Sequence, residues 1–442
     1  MRDIVLSLIM AGLLPLALRH TWVGVLLWTW LSIMNPHRLA YGFAAHMPWA
    51  AAAAVCTLLS VLWNKDKLHF PINVGTVALM AFMGWICVTT LFAFTPEQSM
   101  KGLDRALKVL LMTLVAIWSI RERKHIVLFV WVNAISIGFY GVKGGLFAIA
   151  TAGSARVWGP AGSFIEDNNA LGLAIVMTMP LLYFLALTAT RKWLKYGLVG
   201  ALLLCALAAL STQSRGAFLA LSAMGLVLWL RAPKKIVSGV LIAIFAVGLL
   251  AFMPKSWEDR MNTIGTYQQD TSAMSRINAW ETAVNVANDR ITGAGFHIAT
   301  REVFQRYSPK PEWVYTAHSI YFQALGEHGY IGLFLFLSMG AYGFWTAGRV
   351  RKEARSRPET QWIVQLAGMI QVSMIGYAVG GTFLSLTYFD LPYNVLVMLI
   401  ACQYWMKEER WKTERVGVFD APVLSAAAAH AVAAYPGARP RA

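Results

Sequence analysis

Apolar residues run in blocks from the first few positions to beyond residue 400, and polar residues fall mostly between the blocks. A helix needs about 20 apolar residues to cross a bilayer. The pattern predicts apolar helices over 4–18, 21–34, 45–63, 72–94, 104–119, 124–150, 169–189, 193–211, 214–231, 235–253, 317–348, 361–383 and 387–406. The first two are short for spanning segments and Pro15 interrupts one of them, so together they read as one broken or re-entrant unit. The expectation is an all-α integral membrane protein with about 12 transmembrane helices.

One long hydrophilic stretch breaks the rhythm, at 254–316. It carries 7 basic and 7 acidic residues and is near neutral. Within it, Ser275 to Asn288 has a helical pattern in which Ile277, Trp280, Val284 and Ala287 make one apolar face. Such a face suits a helix lying on the membrane surface or packed against the bundle. The chain therefore divides into N-terminal transmembrane helices (1–150), a second transmembrane domain (151–406) that includes the loop 254–316, and a tail (407–442). From Val416 the tail is rich in Ala, with Pro and Gly, and reads as disordered.

Charge fixes the orientation. The net charge of +16 would fit a nucleic-acid binder, but 18 of the basic residues fall in five short clusters. These are Arg121 to Lys124, Arg191 to Lys195, Arg231 to Lys235, Arg349 to Arg357 and Lys407 to Arg415. That is the pattern of cytoplasmic loops under the positive-inside rule, and the clusters lack the stacking aromatics of nucleic-acid modules. The loops 151–168, 211–214, 254–316 and 383–387 then face outward, into the periplasm of a bacterial cell, and the tail is cytoplasmic. The N-terminus shows no convincing small-residue cleavage site and reads as a retained membrane segment. Cys56, Cys87, Cys205 and Cys402 all lie in apolar blocks without metal-ligand spacing, as buried small hydrophobes.

Polar residues gather on the outward side. Arg215 opens a membrane helix in Ser211-Thr-Gln-Ser-Arg-Gly-Ala-Phe218. A cation is disfavoured both at a helix N-terminus and on the outer side. Backbone amides and a guanidinium fork there suit a phosphate; the alternative is an arginine snorkelling to lipid headgroups. Arg276 starts the amphipathic stretch and by itself reads as a solvated charge. His318, in Thr316-Ala-His-Ser-Ile-Tyr-Phe-Gln323, stands where the loop re-enters the membrane. A helix N-terminus and partial burial both lower a histidine pKa, leaving a neutral imidazole able to accept a proton.

Glu327, in Gly326-Glu-His-Gly329, falls about 13 Å further along the same helix at the helical rise. An intramembrane carboxylate is a functional candidate, but here a structural or supporting role is expected. The loop Arg156-Val-Trp-Gly-Pro-Ala-Gly-Ser-Phe-Ile-Glu-Asp-Asn-Asn169 offers Arg156 as a further phosphate contact and Asp167, Asn168 and Asn169 as helix caps. Glu166 and Asp167 alone make a weak metal signal, so no metal and no cofactor are expected. Gly293-Ala-Gly-Phe-His297 gives a tight turn, with Gly293 and Gly295 in supporting roles; it lacks the strand–loop–helix setting of a nucleotide loop. Two or three arginines beside a neutral histidine suit an anionic, phosphate-bearing lipid and the activation of a hydroxyl nucleophile.

Together these motifs resemble the O-antigen ligase and O-antigen polymerase superfamily. They are Ser-Arg-Gly at a helix start, an arginine before a tryptophan in the outer loop, Gly-x-Gly-Phe, and a histidine followed by Gly-Glu-x-Gly-x-x-Gly. The resemblance covers roughly 150–350. Leu14-Pro-Leu-Ala-Leu-Arg-His20 and Asn35-Pro-His-Arg38 resemble O-glycosylation ligases associated with exosortase systems. The resemblance implies a lipid-linked-donor glycosyltransferase (GT-C-like) fold with one large periplasmic loop, in the bacterial inner membrane. It implies transfer of a glycan from undecaprenyl pyrophosphate to lipid A–core oligosaccharide, or to another hydroxyl acceptor on a protein or a growing glycan. By resemblance Arg215 and Arg276 bind the pyrophosphate, with Arg156 as an extension of that role, and His318 activates the acceptor. Membrane lipid is the other expected partner, and nucleic acid is not one. A transporter needs charged groups at mid-membrane on several helices, where Glu327 is the chief one.

Overall fold

The computed structural model describes residues 1–63, 70–262 and 271–414, and every regular element among them is a helix. Arg415 and the tail beyond it lie outside the described residues, so the expectation of a disordered tail concerns a region not described.

Three short helices form the N-terminal unit: α1 (Arg2–Arg19), α2 (Thr21–Met34) and α3 (Trp49–Trp63). Helix α1 runs through Pro15 without a break; the chain direction changes at His20, whose backbone is extended (φ −131°, ψ 107°). The interruption therefore falls five residues later than the proline implied. Thr57 of α3 packs onto Gly24 of α2, where an added Cβ would meet Thr57 Oγ1 at 2.2 Å, and Ser60 donates to Thr21 across the same contact.

Six stretches are long and apolar enough to cross a membrane. They are α4 (Val74–Leu91), α6 (Arg123–Ala150), α7 (Asn168–Thr188), α8 (Lys192–Ser211), α14 (Ile320–Ala354), and α15 (Gln361–Gly380) with the short turns on either side of it. Helices α2, α3 and α10 (Lys235–Ala251) are apolar but have 14, 15 and 17 residues. At about 1.5 Å per residue they reach roughly 21–26 Å, less than a bilayer core of about 30 Å. Helices α5 (Pro96–Ser119), α9 (Arg215–Arg231) and α16 (Asp390–Lys407) complete the bundle. Helix α7 lies at its centre, with buried side chains on all sides.

Four of the five basic clusters meet at one end of the bundle. Arg121 lies over the Tyr404 ring at 4.0 Å, Arg357 over Trp411 at 4.5 Å, and the Arg123 amide donates to Glu414 at 3.2 Å. Arg231 reaches the Gly368 carbonyl at 3.5 Å. At the opposite end the loop segments and the helices α11 (Lys255–Asn262), α12 (Thr271–Asp289) and α13 (Arg301–Tyr307) form an outer layer.

Helix α12 covers the amphipathic stretch, but of the expected apolar face only Ala287 is fully buried. The buried side is Ser275, Asn278, Ala279, Thr282, Ala283, Val286 and Ala287. Ile277, Trp280 and Val284 stay half-buried. Size and hydrogen bonding decide this. Ala283 fits against Gly326, where a Cβ would meet it at 3.0 Å, and Asn278 donates to the Lys310 and Trp313 carbonyls at 3.2 Å each.

Helix α14 is two helices joined at Gly329, whose φ of 67° and ψ of −172° are not helical. The break strips the Gly326 and Glu327 carbonyls of their helical donors. The turn at 293–295 replaces them: Ala294 donates to Gly326 and Gly295 to Glu327, both at 2.9 Å. Gly293 (φ 64°) packs so closely that a Cβ would lie 2.7 Å from the Gly329 nitrogen. The two glycine motifs are thus halves of one structure.

Candidate functional site

The chain enters α9 through a tight turn with Gln213 in the left-handed region (φ 55°). Ser214 caps the helix by accepting from Ala217 at 3.2 Å, and Arg215 is its first residue. Asp167 caps α7, accepting from Asn169 at 2.9 Å and Ala170 at 3.3 Å. Buried Asn168 does not cap; it donates to the Thr212 carbonyl at 2.7 Å and ties the start of α7 to the turn before α9. Gly172 lets the two helices close, since a Cβ there would meet Thr212 and Ala217 at 2.7 and 2.9 Å. Two capped helix N-termini, each the positive end of a helix dipole, therefore lie side by side.

A cavity of about 320 Å³ opens above them, lined by Asn169, Arg215, Gly216, Arg276, Trp280 and Phe383 among others. Both arginines are half-buried. Arg276 comes from α12, more than 60 positions along the chain from Arg215.

His318 borders this assembly. The Trp280 indole donates to the Ala317 carbonyl at 2.6 Å, and His318 itself has a left-handed backbone (φ 42°), outside helix α14. It is half-buried. Burial holds its pKa below the ordinary 6.5, the Arg276 guanidinium lowers it further, and the Asp167 carboxylate opposes both. The direction is the one expected, but the causes are burial and Arg276. Because α14 begins only at Ile320, the straight helical rise assumed between His318 and Glu327 does not hold.

Arg156 donates through Nε to Gln213 Oε1 at 3.3 Å, next to the cavity rather than among the residues that line it. Glu166 accepts from the Gly162 amide at 2.7 Å. Glu327, Gly293 and Gly295 stand apart, in the joint between the 293–297 turn and α14. Phe383 and Tyr388 are not singled out by the sequence, whereas Ser214 and Trp280 enter as parts of the Ser-Arg-Gly and arginine–tryptophan motifs. Ser214 carried a usable signal, a serine at a helix start. Phe383 and Tyr388 carried none, since an aromatic beside an apolar block reads as core.

A second cleft, of about 590 Å³, runs between α14, α15 and α16. It extends from Ile320 and Tyr321, beside His318, to Phe344 and Trp345, and its walls are almost wholly apolar.

Residues 200–337 match the model of a family described as O-antigen ligase, and residues 1–190 match a family of unknown function. No curated protein matches the chain. Arg215, Arg276, His318 and Glu327 lie in the first matched segment; Arg156, Asn168 and Asn169 lie in the second.

Proposed function

We propose, from the match of residues 200–337 to the O-antigen ligase family and from the site's geometry, that this membrane protein transfers a glycan from undecaprenyl pyrophosphate to a hydroxyl acceptor, lipid A–core oligosaccharide, at the periplasmic face of the bacterial inner membrane. The observation that carries the proposal is the meeting of Arg215 and Arg276 in one cavity beside two helix N-termini, with His318 next to Arg276. Arginine forks suit the two phosphates of the donor, and the positive ends of the two helix dipoles favour the same charge. Held there, the pyrophosphate is stabilised as charge builds on it during departure. His318, neutral by virtue of burial, accepts the proton of the acceptor hydroxyl as its oxygen bonds to the anomeric carbon, and the carbon–phosphate oxygen bond breaks. A single displacement of this kind inverts the anomeric centre. Arg156 supports the phosphate site from its place on Gln213.

The apolar cleft beginning at Ile320 and Tyr321 gives a lipid chain a lateral path to this end of the bundle. In this reading the fold is of the lipid-linked-donor glycosyltransferase (GT-C-like) class, and the three shorter apolar helices together with α5, α9 and α16 join the six long ones to give about 12 membrane segments. The test is reconstitution of the purified protein with a polyprenyl-pyrophosphate glycan and, in parallel, lipid A–core, a protein and a free glycan as acceptors. A shift of lipid A–core on a gel is expected. Products only on protein, or only longer glycans, would assign the chain to protein glycosylation or to polymerisation. No product with any acceptor would remove the transfer reading.

A further inference from the structure

Glu327 does not line the arginine cavity, yet its residue is only 4% exposed. A carboxylate buried to that degree is costly unless its oxygens are satisfied. Oε2 accepts from the Tyr388 hydroxyl at 2.8 Å, and Oε1 accepts from the His297 amide at 3.1 Å. The Tyr388 oxygen also lies 2.5 Å from His328 Nε2, and His328 Nδ1 faces the Thr89 hydroxyl at 2.7 Å. With the tyrosine proton given to the carboxylate, His328 donates through Nε2 to the tyrosine oxygen. The result is a buried polar chain reaching from α4 to the outer layer.

Its members join the three segments that carry the candidate site. Glu327 belongs to the outer piece of α14, which follows directly from His318. Its backbone carbonyl and that of Gly326 hold the 293–295 turn, and Gly326 receives Ala283 of α12, the helix of Arg276. Tyr388 belongs to the segment 381–389, whose Phe383 lines the cavity and sits 3.3 Å from where a Cβ on Gly216 would stand, beside Arg215. Next to Tyr388, the Thr387 hydroxyl donates to the Ile320 carbonyl at 3.1 Å and its backbone amide to Gln323 Oε1 at 3.3 Å, clamping the first turn of α14. One carboxylate–tyrosine contact thus sits between the elements that carry His318, Arg276 and Phe383.

We propose that Glu327 and Tyr388 are positioning residues for glycosyl transfer, fixing the outer piece of α14 and segment 381–389 so that His318 stands at the right distance from the phosphate site. The inference rests on the transfer reading above. Polar groups in a closed network specify one arrangement where apolar packing tolerates several. A displacement of about 1 Å between reacting groups costs on the order of a hundredfold in rate.

The experiment compares donor binding and turnover for Glu327→Gln, Glu327→Ala, Tyr388→Phe and the double variant Glu327→Ala/Tyr388→Phe, with Arg215→Ala and His318→Ala in the same assay. Turnover is expected to fall ten- to a hundredfold in Tyr388→Phe and Glu327→Ala, while donor affinity stays within about threefold. Glu327→Gln keeps an acceptor for Tyr388 but turns its NH2 to the His297 amide, and is expected to recover part of the loss relative to Glu327→Ala. The double variant should be no slower than the slower single one, because both remove the same contact. Turnover and donor affinity falling together, or a mere loss of folded protein with unchanged turnover per folded molecule, would overturn the positioning role. So would normal turnover in Tyr388→Phe while Arg215→Ala and His318→Ala are inactive. If those two controls are active, it is the transfer reading that fails.

Discussion

The Trp280 indole donates to the Ala317 carbonyl at 2.6 Å, one residue before His318. Helix α12 is therefore pinned to the point where the chain leaves the outer layer, and Arg276, one turn earlier on α12, is held beside the imidazole. The same indole stacks on Phe322 with ring centroids 4.9 Å apart. Trp280→Phe keeps the stacking and removes the donor. A hydrogen bond of this kind contributes roughly 0.5–1.5 kcal/mol, so transfer is expected to fall by up to about tenfold. Initial rates at saturating donor, normalised to folded protein, check it; an unchanged rate would free Arg276 from this anchor.

Arg215 and Arg276 are expected to be needed together. Arg215→Ala and Arg276→Ala should each lose most transfer, with insertion in the membrane and thermal stability close to the parent. Arg215→Lys should restore only part, because an ammonium cannot offer the planar fork that matches a phosphate. Donor binding measured by competition with inorganic pyrophosphate reads the effect directly. Parental binding by both alanine variants would remove the pyrophosphate assignment.

Gly329 tests the joint in α14. Its φ is 67°, and a Cβ would lie 2.1 Å from the Ile291 carbonyl oxygen. Gly329→Ala therefore meets both a strained backbone and a rigid neighbour. The backbone strain alone costs about 1–3 kcal/mol, and the unfolding temperature in detergent should drop by several degrees. Gly340, with nothing within 4 Å of an added Cβ, is the control, and Gly340→Ala should leave that temperature near the parent value.

Transfer is expected to proceed in excess chelator. The adjacent carboxylates of the outer loop are already engaged: Glu166 with the Gly162 amide at 2.7 Å, and Asp167 with the first amides of α7. In the proposed reaction the charge of the leaving group is met instead by Arg215 and Arg276. Loss of activity in chelator, restored by one divalent ion, would return a metal role to these two residues.

The helices were legible because each apolar block is itself the signal, and α2, α6 and α8 begin or end within a residue or so of their predicted bounds. Arg215 was legible because it breaks two charge rules at once. The break at Gly329 was not, because its cause lies in the turn at 293–295, more than 30 positions earlier. The buried side of α12 was misread for a related reason. Hydrophobicity ranked Ile277, Trp280 and Val284 first, whereas the surface they would meet, at Gly326 and the carbonyls of Lys310 and Trp313, accepts small and amide side chains. Tyr388 gained its meaning only from the contact with Glu327, which no local pattern encodes.

His318 is expected to serve the acceptor and not the donor. It adjoins the arginine cavity without being among its lining residues, and a neutral imidazole contributes no charge to hold a phosphate. His318→Ala should leave donor affinity nearly intact and reduce turnover by a hundred- to ten-thousandfold, roughly the range for a general base. The pH dependence follows from the direction of the shift. Burial and Arg276 lower the pKa below 6.5, so the neutral form persists to more acidic pH than for an ordinary histidine. Turnover should therefore have its acid limb at lower pH than an ordinary histidine would give, as protonation removes the base. Asp167 acts in the opposite direction, raising the pKa. Asp167→Asn preserves a good helix cap and deletes that charge, so its acid limb should move to still lower pH. A limb that stays in place in Asp167→Asn would show that another group sets it. Loss of donor binding in His318→Ala, as severe as in Arg215→Ala, would make the histidine a phosphate ligand and leave the acceptor without a base.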